Sequence, residues 1–125
     1  MSLQTLSPIG FIPTNYPAEA RAFYEKTLGL SFVSDDGYAL VFRMAGGVML
    51  RIVRTGAFTP LPFTVFGWET AQIESDIDEL AAKAVVFERF GFFEQDARGI
   101  WTAPNGNKVA WFKDPDGNTL SLSQH

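Results

Sequence analysis

The order of predicted secondary-structure elements occurs twice along this chain, and this repeat limits its possible folds. One strand, one amphipathic helix and then three strands are predicted in each half. The prolines at positions 60 and 62 mark the boundary, so one module spans residues 1–58 and the other about 62–125. Because each helix covers one face of its sheet, the other face must meet the second module, a partner chain or a ligand.

Hydrophobic periodicity and turn residues locate the individual elements. The first helix follows Pro17, a residue type favoured at helix starts, and Gly29 marks its end. The second helix runs from about Ile73 to Ala84. The candidate strands are Pro8–Pro13, Leu30–Ser34, Tyr38–Met44, Gly47–Arg54, Phe63–Glu69, Val85–Glu88, Gly99–Ala103, Lys108–Lys113 and Asn118–Ser123. In the turn before the last strand, Asp114 and Asp116 are predicted to bond turn amides.

Composition and charge narrow the possible partners and the compartment. The chain has 125 residues, 46% of them hydrophobic, which suits one domain with a proper core. Its net charge of −4 argues against a nucleic-acid partner. No apolar run approaches the ~20 residues that span a membrane, and Met1–Gln4 lacks the features of a signal peptide. With no cysteine present, we expect a cytoplasmic protein without membrane or nucleic-acid partners.

The counts of cysteine and histidine exclude several common chemistries. Cysteine is absent, and the only histidine is the terminal residue, His125. Thiolate zinc sites, cysteine nucleophiles and histidine-rich metal sites therefore cannot be built from this chain alone. A histidine general base is not expected either, because terminal residues are usually mobile.

Alternation along the predicted strands separates a core face from a second face. In the fourth strand, Leu50 and Ile52 suit the helix-covered face, whereas Met49 and Arg51 point to the opposite face. If the preceding hairpin loop has two residues, Phe42 joins Met49 and Arg51 on that opposite face. A loop of three residues would reverse this assignment.

The last two strands indicate that the second half has a covered face as well. The strand Lys108–Lys113 is apolar on both sides, with Trp111 on one side and Phe112 on the other. Such a strand is normally covered on both faces, which favours a cavity or an interface. On one face of the neighbouring strand the side chains are polar, among them Ser121, and they point either to solvent or into this cavity.

Three stretches of the chain resemble the vicinal-oxygen-chelate superfamily, which includes glyoxalase I, extradiol dioxygenases and bleomycin-resistance proteins. They are residues 21–30 (RAFYEKTLGL), 67–69 (GWE) and 109–118 (VAWFKDPDGN). The resemblance implies an α+β fold in which paired βαβββ modules form a curved mixed sheet. It also implies a pocket in the concave sheet and assembly as a homodimer.

The resemblance further implies four positions at which metal-dependent members carry their ligands. Here they fall at Ile9, Arg51, Ser121 and, to within one or two positions, Val65. Isoleucine and valine have no donor atoms, arginine repels a cation, and a single serine hydroxyl is a poor metal ligand. We therefore predict neither a metal ion nor another cofactor.

The predicted pocket combines a cation with aromatic side chains. Arg51 requires an anion, which is either a ligand or an acid such as Glu69 or one from a partner chain. A planar or hydrophobic ligand would stack on the aromatic residues, although these could instead form a dimer interface. The predicted ligand-binding residues are Arg51, Phe11, Phe42, Met49, Trp111, Ser121, Trp101 and Phe92.

Three functions remain open at this stage. The first is a metal-independent binding protein that sequesters a drug or metabolite, anionic or aromatic in character. The second is a lyase or isomerase in which Glu69 is the catalytic base and Arg51 stabilises an enolate-like charge. The third is a structural homodimer whose aromatic residues are all interface.

Overall fold

The computed structural model of the protein describes residues 2–125, which form two compact units. The division lies between Phe58 and Thr59, and we call the units the first module and the second module. Each module contains a mixed four-stranded sheet and an amphipathic α-helix. The predicted α+β fold of paired βαβββ modules is therefore confirmed.

The first module is a four-stranded sheet covered on one face by a helix. Its elements are a 3₁₀ turn (Leu3–Thr5), β1 (Ile9–Thr14), α1 (Pro17–Ala22), a π-helical segment (Phe23–Thr27), β2 (Ser31–Asp35), β3 (Ala39–Arg43), a second 3₁₀ turn (Ala45–Gly47) and β4 (Met49–Arg54). The strand order is β1-β4-β3-β2. Strand β1 runs parallel to β4, whereas the other pairs are antiparallel.

Aromatic packing fixes the helix of the first module onto its sheet. Pro17 occupies the first turn of α1, where its missing N–H has no helical partner to lose. Tyr24, in the π-helical segment, is completely buried, and its ring lies 6.0 Å from that of Phe42. Leu50 and Ile52 of β4 are also completely buried, which confirms their predicted core position.

The hairpin between β3 and β4 corrects one placement. Its loop has three residues, Ala45–Gly47, and the pairing sets Phe42 opposite Leu50 and Val41 opposite Arg51. The prediction that Phe42 shares a face with Met49 and Arg51 is therefore wrong. The extra loop residue shifts the pairing by one, so Phe42 points into the core of the first module.

The second module repeats this arrangement. Its elements are β5 (Thr64–Glu69), α2 (Ile73–Ala82), β6 (Trp101–Thr102), β7 (Lys108–Lys113) and β8 (Thr119–Gln124). The strand order is β5-β8-β7-β6, with β5 parallel to β8. Ile73 and Ile77 are the buried residues of α2, and the acidic side chains in its first turn suit the helix dipole.

Two predicted strands of the second module differ from the structure. Val85–Glu88 forms no ladder, and its one pairing is an isolated bridge between Phe87 and Phe112. The rings of these two residues pack at 5.4 Å, so Phe87 serves as a core contact of a long loop. The predicted strand Gly99–Ala103 is reduced to the two residues of β6.

The turn between β7 and β8 is organised by Asp114, as predicted. One of its carboxylate oxygens accepts hydrogen bonds from the backbone N–H groups of Asp116 and Asn118, both at 2.9 Å. The other accepts from the side-chain amide of Asn118, also at 2.9 Å. Gly117 has a φ of 87°, a conformation that favours glycine.

Acid sensitivity of the first module is expected from the β2–β3 turn. The guanidinium of Arg54 donates two hydrogen bonds of 2.7 Å to Asp35, and the backbone N–H of Gly37 donates a third. These contacts, led by Arg54, lower the pKa of Asp35 from 3.8 to about 2. Folding thus favours the ionised form of Asp35. Its contribution to the stability of the protein is complete only above the pKa that Asp35 has in the unfolded chain.

We therefore expect Asp35→Asn to lower stability at neutral pH and to matter less in acid. The difference from the wild type should shrink as the pH falls below 3.8 and disappear only well below pH 2, where Asp35 is neutral in the folded protein as well. Urea midpoints measured across this pH range test the expectation. A difference that stays constant with pH would contradict it.

Candidate functional site

The face of the second sheet opposite α2 carries a mixture of aromatic and hydroxyl side chains. Trp111 of β7 pairs with Ser121 of β8, and Lys113 pairs with Thr119 in the next position on the same face. Gly67 of β5 lies on the other side of Ser121, where an added Cβ would approach the serine Oγ to 2.5 Å. The close approach at Gly67 leaves no space for a larger residue beneath the site.

Five aromatic rings gather on this face, and we call them the aromatic cluster. Its members are Phe90, Phe92, Phe93, Trp101 and Trp111. The ring of Phe93 is parallel to that of Trp111, with centroids 5.2 Å apart, and lies 4.7 Å from Trp101. Phe90 meets Trp111 edge-on at 5.3 Å. The sequence predicted a cavity or an interface on this face, and the aromatic cluster covers part of it.

A cavity of about 650 Å³ lies beside the aromatic cluster. Its floor is formed by residues of β7 and β8, including Trp111 and Thr119. One side is the segment 90–93, and the other is the segment 60–63. Phe63 and Phe92 are 57% and 79% exposed, so apolar surface is available at the mouth. Ligand pockets for small molecules typically occupy about 300–1,000 Å³.

Polar contacts hold the loop that carries three of the aromatic residues. The side-chain oxygen of Gln95 accepts from the Phe90 backbone N–H at 2.8 Å. Its amide nitrogen donates to the carbonyls of Glu88 and Gly99, at 2.9 and 2.7 Å. Further along, Arg98 forms two hydrogen bonds with Asp78 of α2, at 3.0 and 3.1 Å. The loop is thus fixed at several points rather than by ring packing alone.

The opposite side of the cavity rests on the β7–β8 turn. A Cβ added at Gly117 would come within 3.2 Å of the Pro60 ring. Pro60 therefore packs against the bare glycine backbone, and this contact keeps the segment 60–63 beside the turn.

In the first module, the corresponding sheet face contains Phe11, Met49 and Arg51. Phe11 is 61% exposed and pairs with Arg51 across the parallel strands. Arg51 donates a 2.8 Å hydrogen bond to Asp36, and this contact is the main cause that lowers the pKa of Asp36. Within its own module, the structure provides Arg51 with the carboxylate of Asp36 as a counter-ion.

The remaining predicted residues fall at two kinds of position. Trp111, Trp101 and Phe92 belong to the aromatic cluster, and Ser121 lies beside Trp111. Glu69 is exposed at the end of β5, where it pairs with Ser123.

Sequence reasoning missed several cavity residues, among them Phe63, Thr64, Lys113 and Thr119. A signal for two of them was present, because Lys113 and Thr119 continue the alternation of Trp111 and Ser121. The position of Phe63 follows from the packing of Pro60 on the turn and leaves no signal in the local pattern.

With its two-module fold and a cavity on the helix-free face of one sheet, the protein belongs to a class of small α+β proteins. The sequence profile of the Glyoxalase/Bleomycin resistance protein/Dioxygenase superfamily matches residues 5–122. The chain therefore belongs to this superfamily. No curated protein sequence matches the chain as a relative.

Solved structures of the same fold include both enzymes and binding proteins. A superfamily member from Sphaerobacter thermophilus DSM 20745 has a TM-score of 0.74 and 19% identity, covering 97% of this chain and 98% of that one. Lactoylglutathione lyase from Agrobacterium tumefaciens has a TM-score of 0.73 and 16% identity, with coverage of 96% and 93%. TnmS3, an antibiotic binding protein from Streptomyces sp. CB03234, has a TM-score of 0.72 and 21% identity, with coverage of 96% and 95%.

The positions that the family resemblance assigns to metal ligands, with Val65 placed to within one or two residues, carry side chains that do not fit a divalent cation. Ile9 and Val65 supply no donor atoms, Ser121 supplies one hydroxyl, and Arg51 carries a positive charge that is already paired with Asp36. Within residues 2–125, no group of three or more His, Cys, Asp or Glu side chains is arranged to hold a metal ion. Every helix in this range is too short or too polar to cross a lipid bilayer.

Proposed function

We propose that the protein binds a planar, largely apolar small molecule in the cavity of the second module and sequesters it without a metal ion. The observation that carries this proposal is the aromatic cluster beside the cavity of about 650 Å³. Aromatic rings that are exposed at the mouth of a pocket are stabilised when an apolar ligand covers them, because their apolar surface is then removed from water. TnmS3, a protein of the same fold, is described as an antibiotic binding protein, which supports small-molecule binding as the function.

Metal independence is part of the proposal and is supported by the donor chemistry described above. A metal-dependent member must supply imidazole or carboxylate ligands, and the four corresponding positions here supply none. Most of the surface that lines the cavity is apolar. Such a surface favours the binding of an apolar ligand, which is stabilised by its removal from water, over catalysis, which requires polar groups beside the reacting atoms.

The test uses N-phenyl-1-naphthylamine, a neutral planar dye whose fluorescence rises in apolar surroundings. We expect saturable binding to the wild-type protein, and we expect Phe92→Ala to weaken it about tenfold, because the ring contributes stacking area at the mouth. The matched control is Tyr38→Ala, since Tyr38 is 78% exposed, as Phe92 is 79%, but belongs to the first module. The control should change the dissociation constant by less than about twofold.

Two outcomes would contradict the proposal. Equal effects of Phe92→Ala and Tyr38→Ala would mean that the dye does not use this cavity. Loss of binding after dialysis against EDTA, restored by added Zn²⁺, would contradict metal independence, since we expect EDTA to leave the dissociation constant unchanged.

A lyase or isomerase function, with Glu69 as base and Arg51 as anion stabiliser, is not favoured by a specific contact. Arg51 is paired with Asp36, and Glu69 is exposed at the end of its strand. The predicted homodimer and the cytoplasmic location also stay predictions, to be tested by light scattering and by cell fractionation.

A further inference from the structure

One end of the cavity floor is polar, and three neighbouring strands contribute to it. Lys113 of β7 pairs with Thr119 of β8, and Thr119 pairs in turn with Thr64 of β5. All three line the cavity, and we call them the polar row. Adjacent strands lie about 4.8 Å apart, so the row crosses about 10 Å of the floor and brings one ammonium group beside two hydroxyls.

Lys113 gives this end of the cavity a positive charge. Among the residues that line the cavity, all of them within the described part of the chain, Lys113 is the one with a charged side chain. The protein as a whole carries a net charge of −4, so any preference for an anion must come from a local cation.

An acid on the neighbouring loop contacts Lys113 only loosely. The Nζ atom lies 3.6 Å from the Glu88 carboxylate, and the two side chains are 49% and 30% exposed. A direct bond between an ammonium and a carboxylate is shorter, about 2.7–2.9 Å, and exposed pairs of this kind contribute little to stability. An acidic group entering the cavity can therefore bond to Lys113 without breaking a strong contact.

The aromatic cluster lies at the other end of the same floor. Trp111 is two residues before Lys113 on β7, so both side chains point to the same face, about 7 Å apart along the strand. A planar ligand that carries an acidic substituent can therefore face the rings and Lys113 at the same time.

We propose that the ligand of this cavity is a planar aromatic anion, with its ring on the aromatic cluster and its carboxylate or sulfonate on the polar row. This inference rests on the proposed function and names the chemical class of its ligand. Lys113 supplies the charge-assisted hydrogen bond, and Thr64 and Thr119 supply hydroxyl donors.

The test compares two dyes that differ by one sulfonate, 8-anilinonaphthalene-1-sulfonate and N-phenyl-1-naphthylamine. We expect the wild type to bind the sulfonate dye about tenfold more tightly, as a charge-assisted hydrogen bond implies. Lys113→Met should bring the ratio of the two dissociation constants close to one, whereas Lys113→Arg should keep most of the preference. Added salt should weaken the preference in the wild type.

The control Lys26→Met removes the same charge from an exposed site in the first module and should leave the ratio unchanged. A ratio that is insensitive to Lys113→Met, with both dyes still bound in the cavity, would overturn the anion assignment and leave the proposed function intact. Failure of both dyes to bind would overturn the proposed function and this inference together.

Discussion

Phe42→Ala is expected to lower the free energy of unfolding by about 3–5 kcal/mol, the range observed when large aromatic side chains are removed from protein cores. The side chain of Phe42 is completely buried. Its ring lies 6.0 Å from that of Tyr24 and 5.5 Å from that of Phe32, so truncation leaves a cavity with rigid aromatic sides. Chemical denaturation with urea measures the loss directly.

The matched control is Phe11→Ala, which removes the same side chain from the opposite face of the same sheet. Because Phe11 is 61% exposed, we expect a change of less than about 1 kcal/mol. Similar small losses for both variants would contradict the placement of Phe42 in the core, as would a Phe42→Ala protein of full stability that differs only in ligand binding.

The placement of Phe42 also shows how far the sequence could predict the fold. Period-two alternation placed Leu50 and Ile52 in the core and Arg51 on the opposite face, because one buried side of a strand fixes the alternation. The face of Phe42 depended on the length of one hairpin loop. The stretch from Met44 to Val48 permits two-residue and three-residue loops, and apolar residues on both sides of β3 left no pattern to choose between them.

The candidate site was predictable in part for a similar reason. The alternation of side chains assigned Trp111 and Ser121 to the helix-free face. Because both faces of β7 are apolar, the sequence also indicated that both faces are covered. The sequence assigned Phe92 to the pocket but did not show which ring stacks on Trp111, and it predicted Val85–Glu88 as a strand where the structure has a loop. The stacking of Phe93 on Trp111 depends on that loop and not on a local periodicity.

Gln95→Leu is expected to lower the free energy of unfolding by about 2–4 kcal/mol and to weaken binding of N-phenyl-1-naphthylamine at least tenfold. The substitution removes three hydrogen bonds of 2.7–2.9 Å to the backbone at Phe90, Glu88 and Gly99. Each is worth about 0.5–1.5 kcal/mol, and the backbone groups left behind lose their partners. The loop that carries Phe90, Phe92 and Phe93 then loses its fixed position beside the cavity.

The control for Gln95→Leu is Gln4→Leu, the same chemical change at an exposed residue of the first module. It should alter neither stability nor binding by a measurable amount. Hydrogen exchange distinguishes the two effects, because the Phe90 amide should exchange faster in Gln95→Leu than in the wild type. An unchanged exchange rate, together with unchanged dye affinity, would contradict the positioning of this loop by Gln95.

The central claim is that the cavity of the second module is the ligand site, and a crystal structure with N-phenyl-1-naphthylamine tests it most directly. We predict density for the dye between Phe63 and Phe92, in contact with Trp111 and without a metal ion nearby. Density for the dye beside Arg51 on the first sheet, or a dye held by a coordinated cation, would contradict the claim.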